Sequence, residues 1–187
     1  AGDVNGDGFS DVLVGAPLFD GGQIDGGRAY VYHGSATGLQ GAPAWTAESD
    51  QPGAFFGVGQ ATAGDVNGDG FSDLIVGAPS YNNVQPASGR AFLYHGSTAG
   101  LAGSPSWTAA GGAFFGSWVA SAGDVNGDGF SDVIVGAELG DLAYIFMGNS
   151  GLGLDRRPQQ LRADGTAPID FLGASDSDSS FRLRATG

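Results

Sequence analysis

The run Asp-Val-Asn-Gly-Asp-Gly-Phe-Ser-Asp occurs three times, at 3–11, 65–73 and 124–132. Each copy sets oxygen-bearing side chains at loop positions 1, 3, 5 and 9. These are Asp3, Asn5, Asp7 and Asp11, then Asp65, Asn67, Asp69 and Asp73, then Asp124, Asn126, Asp128 and Asp132. Position 6 is glycine (Gly8, Gly70, Gly129), where a tight turn needs a positive φ that a residue without Cβ adopts at little cost. A hard cation takes roughly six to eight oxygens. Four side chains, the position-7 carbonyl of Phe9, Phe71 or Phe130, and a water or second carboxylate oxygen complete such a shell. The chemistry on offer is Ca²⁺ binding at three sites. Softer metals find no ligands, because the runs hold no histidine and the chain no cysteine.

An Asp/Asn/Gly turn can be no more than a good hairpin turn. Three identical copies at near-constant spacing call for a ligand instead. The loop also differs from an EF-hand, which closes on a bidentate glutamate at position 12 and lies between helices. Here position 12 is Val14, Val76 or Val135, within Val-Leu-Val-Gly-Ala, Leu-Ile-Val-Gly-Ala and Val-Ile-Val-Gly-Ala. Short β-branched runs closed by glycine read as buried strands, so the loop joins strands.

The chain has 187 residues, enough for one domain with a real core. With 36 glycines and 41% hydrophobic residues it reads as a turn-dense β protein. Lysine is absent, and seven arginines against twenty acids leave a net charge of −13, the wrong sign for a nucleic-acid surface. Nine of the acids lie in the three loops, and three bound Ca²⁺ would bring the net charge to −7. No stretch approaches the ~20 apolar residues of a membrane span. No signal peptide is visible, and because the chain opens inside a repeat, a preceding segment is expected.

The first aspartates of the loops are 62 and then 59 residues apart, the mark of a repeat architecture. Within each unit the apolar strand is followed by a variable loop and a second strand, at 27–34, 89–96 and 142–148. After a Gly-Ser turn comes Pro-Ala-Trp-Thr-Ala (43–47) or Pro-Ser-Trp-Thr-Ala (105–109), read as an edge strand because its proline removes a ladder donor. Phe-Phe-Gly (55–57, 114–116) then opens a short strand into the next metal loop. Four strands per unit of about 60 residues fit the blade of a β-propeller.

Phe-Gly before the loop, Asp-x-Asn-x-Asp-Gly-x-x-Asp within it, and Gly-Ala-Pro after it (15–17, 77–79; Gly-Ala-Glu at 136–138) resemble the FG-GAP repeats of integrin α-chain propellers and bacterial secreted proteins. The resemblance covers about 1–155. It implies an all-β fold, a β-propeller fragment of four-stranded antiparallel blades with about three blades present, around 1–54, 55–113 and 114–155. It also implies that the calcium loop joins the first two strands of a blade on one face, and that ligands use the opposite face. Three loops are too few for a closed ring, so further blades or domains of a parent chain are expected. Residues 156–187 fall out of pattern. Phe171-Leu172-Gly173 keeps the spacing, but Phe181 stands where a fourth loop would start, and Asp176 and Asp178 lack its turn. The segment reads as a degenerate fourth blade or the start of another β domain.

No Gly-x-Ser-x-Gly elbow, His-Glu-x-x-His helix or cysteine nucleophile is present, and the regularly spaced carboxylates belong to calcium, so no catalytic residue is assigned. His33 and His95 recur where the third unit has Met147, which suits strand-end packing or hydrogen bonding. Arg28 and Arg90 are expected to pair with loop acids, and Trp45, Trp107 and the Phe pairs to pack between blades. Trp118 replaces Gly59 and marks a surface particular to its unit. The expected function is a calcium-binding module for extracellular or cell-surface adhesion, with calcium structural. The alternative is a non-catalytic or substrate-positioning part of a secreted enzyme acting on carbohydrate or lipid. A protein or glycan ligand is expected on the face opposite the calcium loops, at 18–26, 80–88 and the segments before Phe55 and Phe114, with Phe19 and Tyr81 as contacts. Because repeats interact chiefly with neighbours, Asp69→Ala is expected to release one ion and loosen mainly the middle blade.

Overall fold

The computed structural model describes residues 1–83, 87–151, 154, 160–161 and 168–169. The fold is all-β, and among these residues the only helical element is a 3₁₀ turn, Glu138–Gly140. The first sheet holds β1 (Val12–Ala16), β2 (Arg28–Tyr32) and β3 (Trp45–Glu48) in that order. The second is β4 (Gln60–Gly64), β5 (Asp73–Ala78), β6 (Arg90–Tyr94) and β7 (Trp107–Ala110). The third is β8 (Phe115–Gly123), β9 (Asp132–Ala137) and β10 (Leu142–Phe146), with β8 and β10 flanking β9. The strands within each sheet pair antiparallel, an isolated parallel bridge joins Gly89 to Phe115, and β11 (Gln160–Leu161) pairs with β12 (Pro168–Ile169) separately. The middle sheet is a complete four-stranded blade, and its neighbours each contribute three strands.

Burial follows from how these sheets flank one another. Successive side chains of a strand point to opposite faces. In β5, Leu74, Val76 and Ala78 join the cluster built on Val4, Val31 and Trp45 of the preceding unit and on Phe56. Ile75 joins the cluster built on Val133, Val135, Tyr144 and Phe146 of the following one. The whole of β5 is therefore buried. In β1 the equivalent outward positions, Val12 and Val14, are 39% and 42% exposed, since no described sheet lies against them.

Trp45 meets Tyr94 edge-on at 4.9 Å and donates its indole N–H to the Ala102 carbonyl, and Trp107 meets Phe146 at 4.8 Å. The tryptophans thus pack between sheets as expected. Of each Phe pair, only Phe56 and Phe115 are fully buried; Phe55 and Phe114 take left-handed φ of 55° and 59° and turn the chain into the inner strand. The register of β4 against β5 shifts between Thr62 and Gly64, and that of β8 against β9 between Ser121 and Gly123. Such a bulge sharpens the local twist and redirects the strand, here into the loop that follows.

Candidate metal centre

In the first loop the Asp3 carboxylate gathers three backbone N–H groups, accepting from Gly6 (2.7 Å) and Asp7 (3.1 Å) on one oxygen and from Gly8 (2.8 Å) on the other. Asn5 Oδ1 accepts from the Asp7 N–H at 3.1 Å, and Asp7 Oδ1 from the Phe9 N–H at 2.9 Å. The same bonds recur around Asp65, Asn67 and Asp69 and around Asp124, Asn126 and Asp128. Local sequence therefore dictates the turn: each Asx side chain bonds backbone two to five residues ahead, and the intervening glycines supply the positive φ. The N–H of Phe9 holds the Asp7 carboxyl below its ordinary range, and that of Gly129 does the same for Asp124.

The position-9 aspartates behave differently. Asp11, Asp73 and Asp132 are buried, at 3%, 0% and 0% exposure. Asp11 accepts from the Val4 N–H (2.8 Å) and the Gly34 N–H (3.0 Å) on separate oxygens. Asp73 accepts likewise from Val66 and Gly96, and Asp132 from Val125 and Gly148. Each ties its loop to the end of the next strand, a structural task that the ligand template does not announce. Burial pushes the Asp73 carboxyl up to about 7, against the two N–H donors and with Asp69 and Asp65 adding repulsion.

All side-chain donors of the loops are oxygens, and every carboxylate oxygen that accepts one N–H retains a lone pair. That donor set fits a hard divalent cation, with Asp3, Asn5, Asp7, Asp11 and the Phe9 carbonyl able to hold it, and their counterparts in the other loops. Among the described residues no three His, Cys, Asp or Glu side chains are gathered so as to hold a metal ion.

The loops touch one another. Ser72 donates its N–H to the Asp3 carbonyl (3.0 Å) and Ser97 to that of Val4 (3.1 Å), and Ser131 and Asn149 repeat this on Asp65 (2.9 Å) and Val66 (3.0 Å). A Cβ placed on Gly6 would lie 2.6 Å from Cε1 of Phe71, and one on Gly68 2.6 Å from Cε1 of Phe130. The loop template assigns a role only to the carbonyls of these phenylalanines. The signal for the rings was available, since a carbonyl ligand alone does not require phenylalanine at position 7 three times. His33 also lies beside the first loop, its Nδ1 3.3 Å from Asn5 Nδ2, a role more specific than strand-end packing.

The other expected residues divide. Arg28 pairs with Glu48 of β3 and lies over the Phe19 ring, while Arg90 donates to Asn83 Oδ1 and lies over Tyr81. Their partners are thus neighbours at the far end of the strands and not acids of the metal loops. Tyr81 is 5% exposed and donates its hydroxyl to Asp50, so it is a packing residue and not a surface contact. Phe19 is half-buried under Arg28. Trp118 is 72% exposed and, with Phe55, Pro79, Phe114 and Glu138, lines a hollow at the end of the strands opposite the loops. Positions 84–86 of the expected partner loop, and Asp176 and Asp178, lie outside the described residues.

Sheets packed side by side, each entered through the same oxygen-rich loop, define a segment of a repeat β-propeller. A family model described as FG-GAP repeat matches residues 1–32, 57–94 and 115–153, and the chain belongs to that family. It is similar to integrin alpha-7 of Homo sapiens, 37% identical over 154 residues, which takes in 77% of this chain and 12% of that protein. Integrin alpha-PS2 of Drosophila melanogaster is 35% identical over 166 residues (77% and 11%), and integrin alpha-4 of Xenopus laevis 34% over 152 (78% and 14%). The chain thus spans only about an eighth of the length of these relatives.

Proposed function

We propose that this chain is a calcium-stabilised part of a propeller that serves extracellular or cell-surface adhesion, with further blades supplied by a parent chain. The observation that carries the reading is the threefold recurrence of one all-oxygen loop with identical internal hydrogen bonding. Calcium is structural here. It offsets the repulsion among three aspartates per loop and the cost of burying Asp73 and its counterparts. The likeness to integrin alpha chains supports the adhesion setting, in which calcium is abundant enough for sites of ~10⁻⁴–10⁻³ M affinity. The partner, a protein or glycan, uses the end opposite the loops, at the Trp118 hollow and the variable segments that follow Pro17 and Pro79.

The test is thermal unfolding with calcium, with magnesium and with chelator. Calcium at a hundred times Kd stabilises by about 2.7 kcal/mol per site and must raise Tm well above the chelated protein. An unchanged Tm contradicts the proposal. For the partner face, shortening 80–88 to the three-residue loop of the third unit must weaken binding of an identified partner while calcium content stays intact.

A further inference from the structure

We propose that each of the first two metal loops is completed by the sheet that follows it, the ring of Phe71 positioning the 3–11 loop and the ring of Phe130 the 65–73 loop. This rests on the calcium reading above.

The environments differ although the sequences do not. Phe71 packs on Gly6 and Phe130 on Gly68, at glycines whose φ are 73° and 75°. Gly127 of the third loop has φ 77° and nothing over it within 4 Å among the described residues. In the opposite direction, Phe9 is 41% exposed, whereas Phe71 and Phe130 are half-buried. Backbone bonds reinforce the pattern. Ser72, which lies between the ligands Phe71 and Asp73, donates to the carbonyl of Asp3, the first ligand of the loop before it, and Ser131 does the same for Asp65.

The ring would touch no ion. It bears on the turn at Gly6, whose N–H, with those of Asp7 and Gly8, orients the Asp3 carboxylate. A turn already held loses less conformational freedom when the ion binds, and supporting groups of this kind govern metal affinity almost as strongly as the ligands do.

The amides of Gly8, Gly70 and Gly129 give one reporter per loop, since each donates to the position-1 aspartate of its own loop. Calcium titration of the ¹⁵N-labelled chain by NMR therefore reads three separate midpoints. Phe71→Ala raises the Gly8 midpoint on the order of tenfold, more than it moves that of Gly70, because the carbonyl of residue 71 is retained. Phe130→Ala raises the Gly70 midpoint more than that of Gly129. Phe71→Leu, which keeps most of the apolar bulk, gives a smaller shift of the same sign and serves if the alanine variant loses its native spectrum. A Gly8 midpoint unmoved by Phe71→Ala, or an effect confined to Gly70, overturns the proposal. Absence of any calcium response at all three glycines contradicts the calcium reading itself.

Discussion

Asp73 carries two duties that conflict when no cation is bound. Its carboxylate fastens the 65–73 loop to the end of β6 through Val66 and Gly96, yet it is fully buried and close to Asp65 and Asp69. Burial raises its folded-state pKa from 3.8 to about 7. A carboxyl raised on folding binds more protons in the native than in the unfolded chain between those values, so its contribution to stability declines as pH rises through that window. The metal-free protein should therefore lose stability between about pH 4 and 7 at this site. Urea unfolding in chelator at both ends of the window measures the loss; Asp73→Asn should flatten it, and calcium should remove it from the wild type. A chelated protein that gains stability toward pH 7 in a manner dependent on Asp73 contradicts this account.

At the scale of elements, the junctions between sheets depend on close backbone approach. A Cβ on Gly77 would run into the carbonyl of Gly116, and one on Gly15 into that of Gly57. On Gly136, at the same place in β9, the nearest atom among the described residues would be Trp118 Cβ at 3.5 Å, an ordinary contact. Gly77→Ala should then cost at least the ~1–3 kcal/mol typical of overpacking, while Gly136→Ala should be close to neutral, and the difference in denaturant midpoints checks it. Equal costs would mean that glycine serves backbone freedom here and not the junction.

The strands themselves were legible because β-branched runs, glycine stops and repetition agree. Observed β2, β6 and β10 fall inside the expected segments, and Trp45 and Trp107 open β3 and β7 at the outer edge of their sheets. What pattern reading could not supply were contacts fixed only by neighbouring units or by a loop's path. The loop after Ala78 turns Tyr81 inward against Phe92, so an aromatic in a variable loop is no guide to a binding surface. Arg28 finds Glu48 because Arg28 and Glu48 are cross-strand partners in the β2–β3 register, a pairing invisible at a separation of 20 residues. The oxygen-bearing residues of each loop can be picked out one at a time from the sequence, whereas the packing of Phe71 on Gly6 depends on how two sheets are joined.

For the whole molecule, the chain reads as an arc in which side-by-side sheets are fastened at one end by linked, acid-rich loops and vary at the other. Most of its charge problem sits at the fastened end, since nine of twenty acids belong to the loops. Repeat proteins of this kind gain stability from units and from nearest-neighbour junctions, and an ion bound in each loop adds to both. Calcium stoichiometry tests this account most directly, by native mass spectrometry or equilibrium dialysis of the chain and of Asp69→Ala at saturating calcium. Three ions on the wild type and two on the variant are the predicted result; fewer than two on the wild type, or a variant that still holds as many as the wild type, would contradict it.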